Sequence, residues 1–150
     1  DELIPVCTPE LLAGAQPDLL TAEDILRLPL IEYRWSRSDD SAPSWRRWRA
    51  AALPGGSAQA DPEIALQVSE ELPGLDAALA GQGVVLASRV LVQDALAAGQ
   101  LRRLSDCALP GRSYWAVTPA DHARRGEIEA FADWARGCGP LGAGDQPVGV

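Results

Sequence analysis

The chain predicts an α/β fold, and three features carry that expectation. Apolar residues recur with a period of two in some segments and of three to four in others, the two kinds of segment succeed one another along the chain, and the strand-like ones are joined by connections too long for hairpins. Together these features imply a parallel-rich sheet flanked by helices. The wholly apolar run Val84-Val85-Leu86-Ala87 supports it, because strands of that composition are buried on both faces.

Each element has its own signal. Residues 3–7 read as a strand, although Pro5 interrupts the run. Thr8 before Pro9 is a helix start, with the hydroxyl as N-cap and proline where its missing N–H costs nothing; Gly14 closes that short helix. Thr21 opens another helix as a capping box with Asp24, and Leu20 can staple onto Ile25; Pro29 ends it, and residues 30–33 read as a strand. After a polar loop, Ser44 caps a helix whose apolar face is Trp45, Trp48 and Ala52, stopped by Pro54-Gly55-Gly56. Ile64, Leu66 and Val68 alternate with smaller or polar neighbours as in a strand ending at Ser69. Pro73 opens a helix that carries Leu75, Ala78 and Leu79 to the turn Gly81-Gln82-Gly83. Ser88 then caps a helix over 89–98 closed by Gly99, a polar strand falls near 101–104, and residues 113–118 form the last strand. Ile128, Phe131, Ala132, Ala135 and Cys138 make one apolar stripe on a final helix, and the glycine-rich 139–150 reads as a flexible tail.

Composition narrows the function. With 150 residues the chain can bury a core without staples, and 21 acidic against 13 basic side chains give a net charge of −8, the wrong sign for a protein that meets DNA through its phosphates. No apolar stretch is long enough for a signal peptide or membrane span, so no membrane partner is expected. The odd, widely spaced Cys7, Cys107 and Cys138 with the single His122 fit a reduced, cytoplasmic setting and offer no metal site.

No catalytic motif stands out. Gly81-Gln82-Gly83 has Leu86 where a dinucleotide fingerprint needs its third glycine, and it ends a helix instead of opening one, so it reads as a helix C-cap. The pairs Asp39-Asp40 and Glu70-Glu71 read as solvated carboxylates, and Cys7 with His122 would be a catalytic pair only if the fold brought them together. Ser44-Trp45-Arg46-Arg47-Trp48-Arg49 has the composition of a stacking surface for single-stranded nucleic acid, but its spacing turns both tryptophans to one inward face. In parallel sheets ligands bind at the carboxyl ends of strands, which places the candidate site at Tyr33, Ser69 and Ser88, with Arg34 and Trp35 in the polar loop after Tyr33. No cofactor is implied.

The order of segments resembles the effector-binding half of LysR-type transcriptional regulators, and in particular a glycine-cleavage-activator-like subgroup. The likeness is carried by Leu3-Ile4-Pro5-Val6-Cys7-Thr8-Pro9-Glu10-Leu11, Leu28-Pro29-Leu30-Ile31, Trp45-Arg46-Arg47-Trp48, the stretch from Ala77 through Gly81-Gln82-Gly83 to Ala87, Leu91-Val92 with Gly99-Gln100-Leu101, and Tyr114-Trp115-Ala116-Val117-Thr118-Pro119 leading to Phe131-Ala132-Asp133-Trp134. It extends from Leu3 to Trp134.

The resemblance implies a fold like that of type II periplasmic binding proteins, here in partial form. Residues 1–9 would be a hinge strand and crossover, 10–108 the second effector-binding subdomain, and 109–138 the return hinge strand and final helix of the first. Its site contacts fall around Ser69 and in the loop after Tyr33, and its hinge at Val6, Cys7, Thr8 and Trp115. It implies a non-enzymatic sensor, with a small-molecule effector (a small carboxylate or amino acid) in the inter-subdomain cleft, a homo-oligomeric state, and contact with DNA only through an N-terminal helix-turn-helix expected to precede Asp1. The surface that the missing part of the first subdomain would cover is expected to promote self-association. Two other functions share such a fold: a periplasmic solute receptor for a transporter, and an enzyme such as an aromatic amino-acid dehydratase.

Overall fold

A computed structural model describes residues 1–12, 20–34, 42–55, 61–113, 115–119 and 122–137. The chain forms two compact units, Asp1–Arg112 and Ser113–Val150. The first holds a six-stranded sheet of β1 (Glu2–Cys7), β2 (Leu30–Tyr33), β3 (Ile64–Val68), β4 (Val84–Ser88), β5 (Arg102–Arg103) and β6 (Leu109–Pro110). The order is β3-β2-β4-β1-β5, with β6 also on β1. Strand β2 runs parallel to both β3 and β4, whereas β1 is antiparallel to β4, β5 and β6. The α/β expectation therefore holds, with the parallel part confined to β3-β2-β4.

Pro5 sits inside this sheet, opposite Leu86. A residue's N–H and C=O point to the same side of an antiparallel strand, and the Pro5 carbonyl accepts from the Leu104 N–H at 3.0 Å on the β5 side. The N–H that proline lacks thus faces the gap between β5 and β6, and the β1–β4 ladder loses nothing.

Among the described residues five α-helices form: α1 (Ala22–Leu26), α2 (Trp45–Ala52), α3 (Glu71–Leu79), α4 (Arg89–Ala97) and α5 (Arg125–Gly137). Thr21 caps α1, its Oγ1 accepting from the Asp24 N–H at 3.2 Å, and Ile25 is buried beneath it. Pro29 is not what ends α1, which stops three residues earlier at Leu26. Ser44 caps α2 through the Arg47 N–H at 3.2 Å, and the Glu32 carboxylate reaches across from β2 to accept from the Trp45 N–H at 3.1 Å. That places a negative charge at the positive end of the helix dipole.

Trp45 and Trp48 are both buried and meet edge to face with ring centroids 5.5 Å apart. Each indole N–H is satisfied inside the protein, Trp45 Nε1 by the Ile31 carbonyl at 2.8 Å and Trp48 Nε1 by the Cys107 carbonyl at 3.0 Å. Neither ring is available to stack on a base.

Helix α3 starts at Glu71, two residues before Pro73, and packs along β2, β3 and β4. It closes as the sequence implies: Gly81 at φ +74° lets the Gln82 N–H reach the Ala77 carbonyl at 3.0 Å, and Gly99 at φ +71° closes α4 in the same way. β4 is buried along its whole length, as its composition predicts.

Three expectations are corrected. Pro9–Leu12 is a 3-10 turn, not an α-helix capped by Thr8; the Leu11 N–H bonds the Thr8 carbonyl at 3.2 Å, and the buried Thr8 hydroxyl has no hydrogen-bond partner among the described residues. Of the expected last strand at 113–118, the described residues 113 and 115–118 are exposed and carry no ladder. The polar strand near 101–104 shortens to Arg102–Arg103.

In the second unit, α5 has the expected amphipathic spacing, but none of its residues is buried: Ile128, Ala132 and Ala135 are half-buried and Phe131 is 59% exposed, its ring tilted on Trp134 at 5.6 Å. Cys138, Gly14, Gly56 and the tail 139–150 lie outside the described residues.

Candidate functional site

The pairing pattern brings distant segments to one edge of the first unit's sheet. The parallel strands β2, β3 and β4 end there at Tyr33, Val68 and Ser88, with Ser69 just beyond β3. Because β1 runs the other way, its amino end, Asp1 and Glu2, meets Ser88 and Pro110 at the same edge, and Gly111 and Arg112 follow directly. Tyr33, Ser69 and Ser88 therefore share one edge, as the parallel-sheet argument requires.

Their surroundings differ. The Tyr33 ring is buried; burial first, then the Glu71 carboxylate, push its phenol up, and the Arg112 guanidinium pulls it the other way. Arg34 is exposed and donates to Gln67 Oε1 at 2.9 Å, its backbone N–H continuing the ladder to the Val68 carbonyl at 3.1 Å. Ser69 is exposed at the entry to α3. Ser88 is buried, and its N–H donates to Glu71 Oε1 at 2.8 Å. Trp35 lies outside the described residues. A shallow depression beside Tyr33 is lined by Pro43, Ser44, Trp45 and Leu86, so the start of α2 borders the site.

From sequence, Glu71 reads with Glu70 as a solvated carboxylate pair. Its place at the first position of a helix after a strand is the signal that marks it, since a carboxylate there is held by the helix dipole and can reach the end of the next strand. Asp1 and Arg112 were also missed, since only the antiparallel pairing of β1 with β6 brings them to this edge.

Val6, Cys7 and Thr8 stand at the opposite end of β1, where Val6 pairs with Val85 and Arg103 and Cys7 pairs with Arg102. All three are buried. Trp115, in the second unit, is 65% exposed. Burial pushes the Cys7 thiol up to about 11, against the pull of Arg102, so it stays protonated at neutral pH and is no nucleophile.

The folded chain keeps this thiol protonated where the unfolded chain, ionising near 9.0, loses the proton. The resulting stability is whole below about pH 9 and lost toward about pH 11, an effect of about 2–3 kcal/mol. Urea unfolding at about pH 8 and about pH 10 is expected to show a fall in stability that shrinks in Cys7→Ala; an equal fall in both proteins would contradict it.

Among the described residues no group of three or more His, Cys, Asp and Glu side chains is placed to hold a metal ion, and no helix is long and apolar enough to cross a membrane. What the edge offers is hydrogen-bonding groups of both kinds on rigid strand ends and helix starts, which suits recognition of a small polar molecule.

Comparison with known proteins gives that geometry its class. Residues 1–138 match the LysR substrate binding domain family. The glycine cleavage system transcriptional activator of Escherichia coli is 33% identical over 134 residues, covering 88% of this chain and 40% of the activator. In structure the chain is similar to the effector domain of the transcriptional regulator AmpR of Pseudomonas aeruginosa, with a TM-score of 0.61 and 25% identity over 89% of this chain and 58% of that one. The AmpR effector-binding domain of Citrobacter freundii gives 0.60 and 22%, covering 91% and 62%.

These are effector-binding domains of transcriptional regulators, with a periplasmic-binding-protein-like fold. The chain belongs to the LysR substrate-binding domain family, and it spans about 40% of the length of the activator it matches. Nothing in these likenesses favours a solute receptor for a transporter.

Proposed function

We propose that this chain supplies one half of the effector site of a cytoplasmic, homo-oligomeric LysR-type regulator, and that it senses without catalysing. The carrying observation is the meeting of Tyr33, Ser69 and Ser88 with both ends of the first unit's chain at one sheet edge. A small carboxylate or amino acid held there would contact Ser69 and the start of α3 from this side and the first subdomain from the other. The crossings between subdomains are then Asp1 and the segment after β6, both at this edge, whereas Val6 and Cys7 pair within the sheet at the far end of β1.

Binding that favours one relative setting of the subdomains would shift the regulator between states, and DNA would be met by a separate N-terminal domain. With the crossings there, the divisions expected at residues 9 and 108 move to Asp1 and to the segment after β6, and the one at residue 138 is kept.

In a regulator carrying this domain, Ser69→Ala is expected to weaken the effector response of a reporter about tenfold, as loss of one hydrogen bond in a largely desolvated site does, without lowering thermal stability. An unchanged dose–response curve would remove Ser69 from the site. The side chain is exposed, so its loss leaves no cavity.

A further inference from the structure

As a strand end, Ser88 is a candidate ligand contact, yet its hydrogen bonds point to a different use. The hydroxyl donates to Asp1 Oδ2 at 2.5 Å and accepts from the Leu91 N–H at 3.4 Å, while the backbone N–H is held by Glu71 at 2.8 Å. A serine hydroxyl has one proton to give, and here Asp1 takes it.

Asp1 is gripped elsewhere as well. Its Oδ1 accepts from the Glu2 N–H at 2.7 Å, and its carbonyl accepts from the Gly111 N–H at 2.9 Å. Gly111 lies so close that a Cβ there would stand 3.0 Å from both the carbonyl carbon and oxygen of Asp1. The hydroxyl–carboxylate bond, beside an ion pair of Arg89 with Glu2 at 3.3 Å, thus ties the start of α4, and through Glu71 the start of α3, to both segments proposed as crossings.

We propose that Ser88 is a positioning residue and that its bond to Asp1 is a latch coupling the strand-end site to those crossings. Ser88 places Asp1, and Asp1 places Gly111. A ligand that draws on the Ser88 hydroxyl, or moves the start of α3, loosens Asp1 and with it the Gly111 contact. The inference rests on the effector-site reading, but its test needs no effector, so the two can fail separately.

Amide hydrogen exchange on the chain reads the latch directly. In the unaltered chain the Gly111 amide is protected; Ser88→Ala raises its exchange about tenfold together with that of Leu91, leaving Val85 and Leu86 unchanged. Ser88→Thr, which keeps the hydroxyl, restores both amides, and Asp1→Ala loosens Gly111 but not Leu91. The proposal is overturned if Gly111 is unprotected from the start, or if Ser88→Ala frees Leu91 alone, the result of a helix cap and nothing more. It is equally overturned if Gly111 loosens only in step with Val85, which would signal general destabilisation.

Discussion

Replacing Gly83 by alanine is expected to destabilise the protein by about 3–4 kcal/mol, through contact with backbone and not through conformational strain. A Cβ at this position would fall 2.5 Å from the Pro29 carbonyl oxygen and 3.1 Å from Ile31 Cγ1. That oxygen accepts from the Val84 N–H at 2.8 Å, so the methyl would force apart the point where β4 joins β2. Backbone cannot swing aside as a flexible side chain can. Gly99→Ala is the control: it imposes the strain of φ +71° with open space around the added carbon, and should cost about 1 kcal/mol. Urea midpoints compare the two, and equal losses would mean that close approach at Gly83 is not what its position requires.

Trp48→Ala should cost about 3–5 kcal/mol, in the range for a large aromatic removed from a core. The ring is fully buried, stands edge-on against Trp45, and donates to the Cys107 carbonyl across 59 residues of sequence. Its removal opens a cavity, strips that carbonyl of its donor, and frees the segment leading into β6, whose pairing with β1 brings Gly111 to the strand-end edge. Trp48→Phe keeps most of the volume and loses the hydrogen bond, so it should recover more than half of the loss. Near-neutral stability of Trp48→Ala would contradict the core placement of α2.

The tryptophan pair was legible because a serine cap and a spacing of three fix which face of a helix turns inward, whatever lies beneath it. The strand ends Tyr33, Ser69 and Ser88 were legible for a similar reason, since parallel strands joined through helices must end together. Where sequence reasoning fell short, the deciding fact was a partner. Residues 113–118 have the apolar character of a strand, yet those of them that are described carry no ladder; Leu109-Pro110 has no strand character, yet β1 pairs with it. The resemblance implies a hinge at Val6–Thr8, and our proposal moves the crossing to the other end of β1, where antiparallel pairing brings Asp1 beside Ser88. Sequence alone does not show that pairing, so it does not point to Asp1 or Arg112. Glu71 was hidden by its neighbour Glu70, because adjacency suggests solvent until the helix start separates their directions.

The most direct test of the central claim is backbone chemical-shift mapping of the labelled chain during titration with a panel of amino acids and small carboxylates. The account predicts that the ligand which binds shifts the amides of Tyr33, Ser69, Glu71, Ser88 and Arg89, and leaves those of Thr8, Gly81 and Gly99, at the far edge, unmoved. Shifts centred on Cys7, Thr8 and Gly81, with the strand-end amides silent, would contradict it.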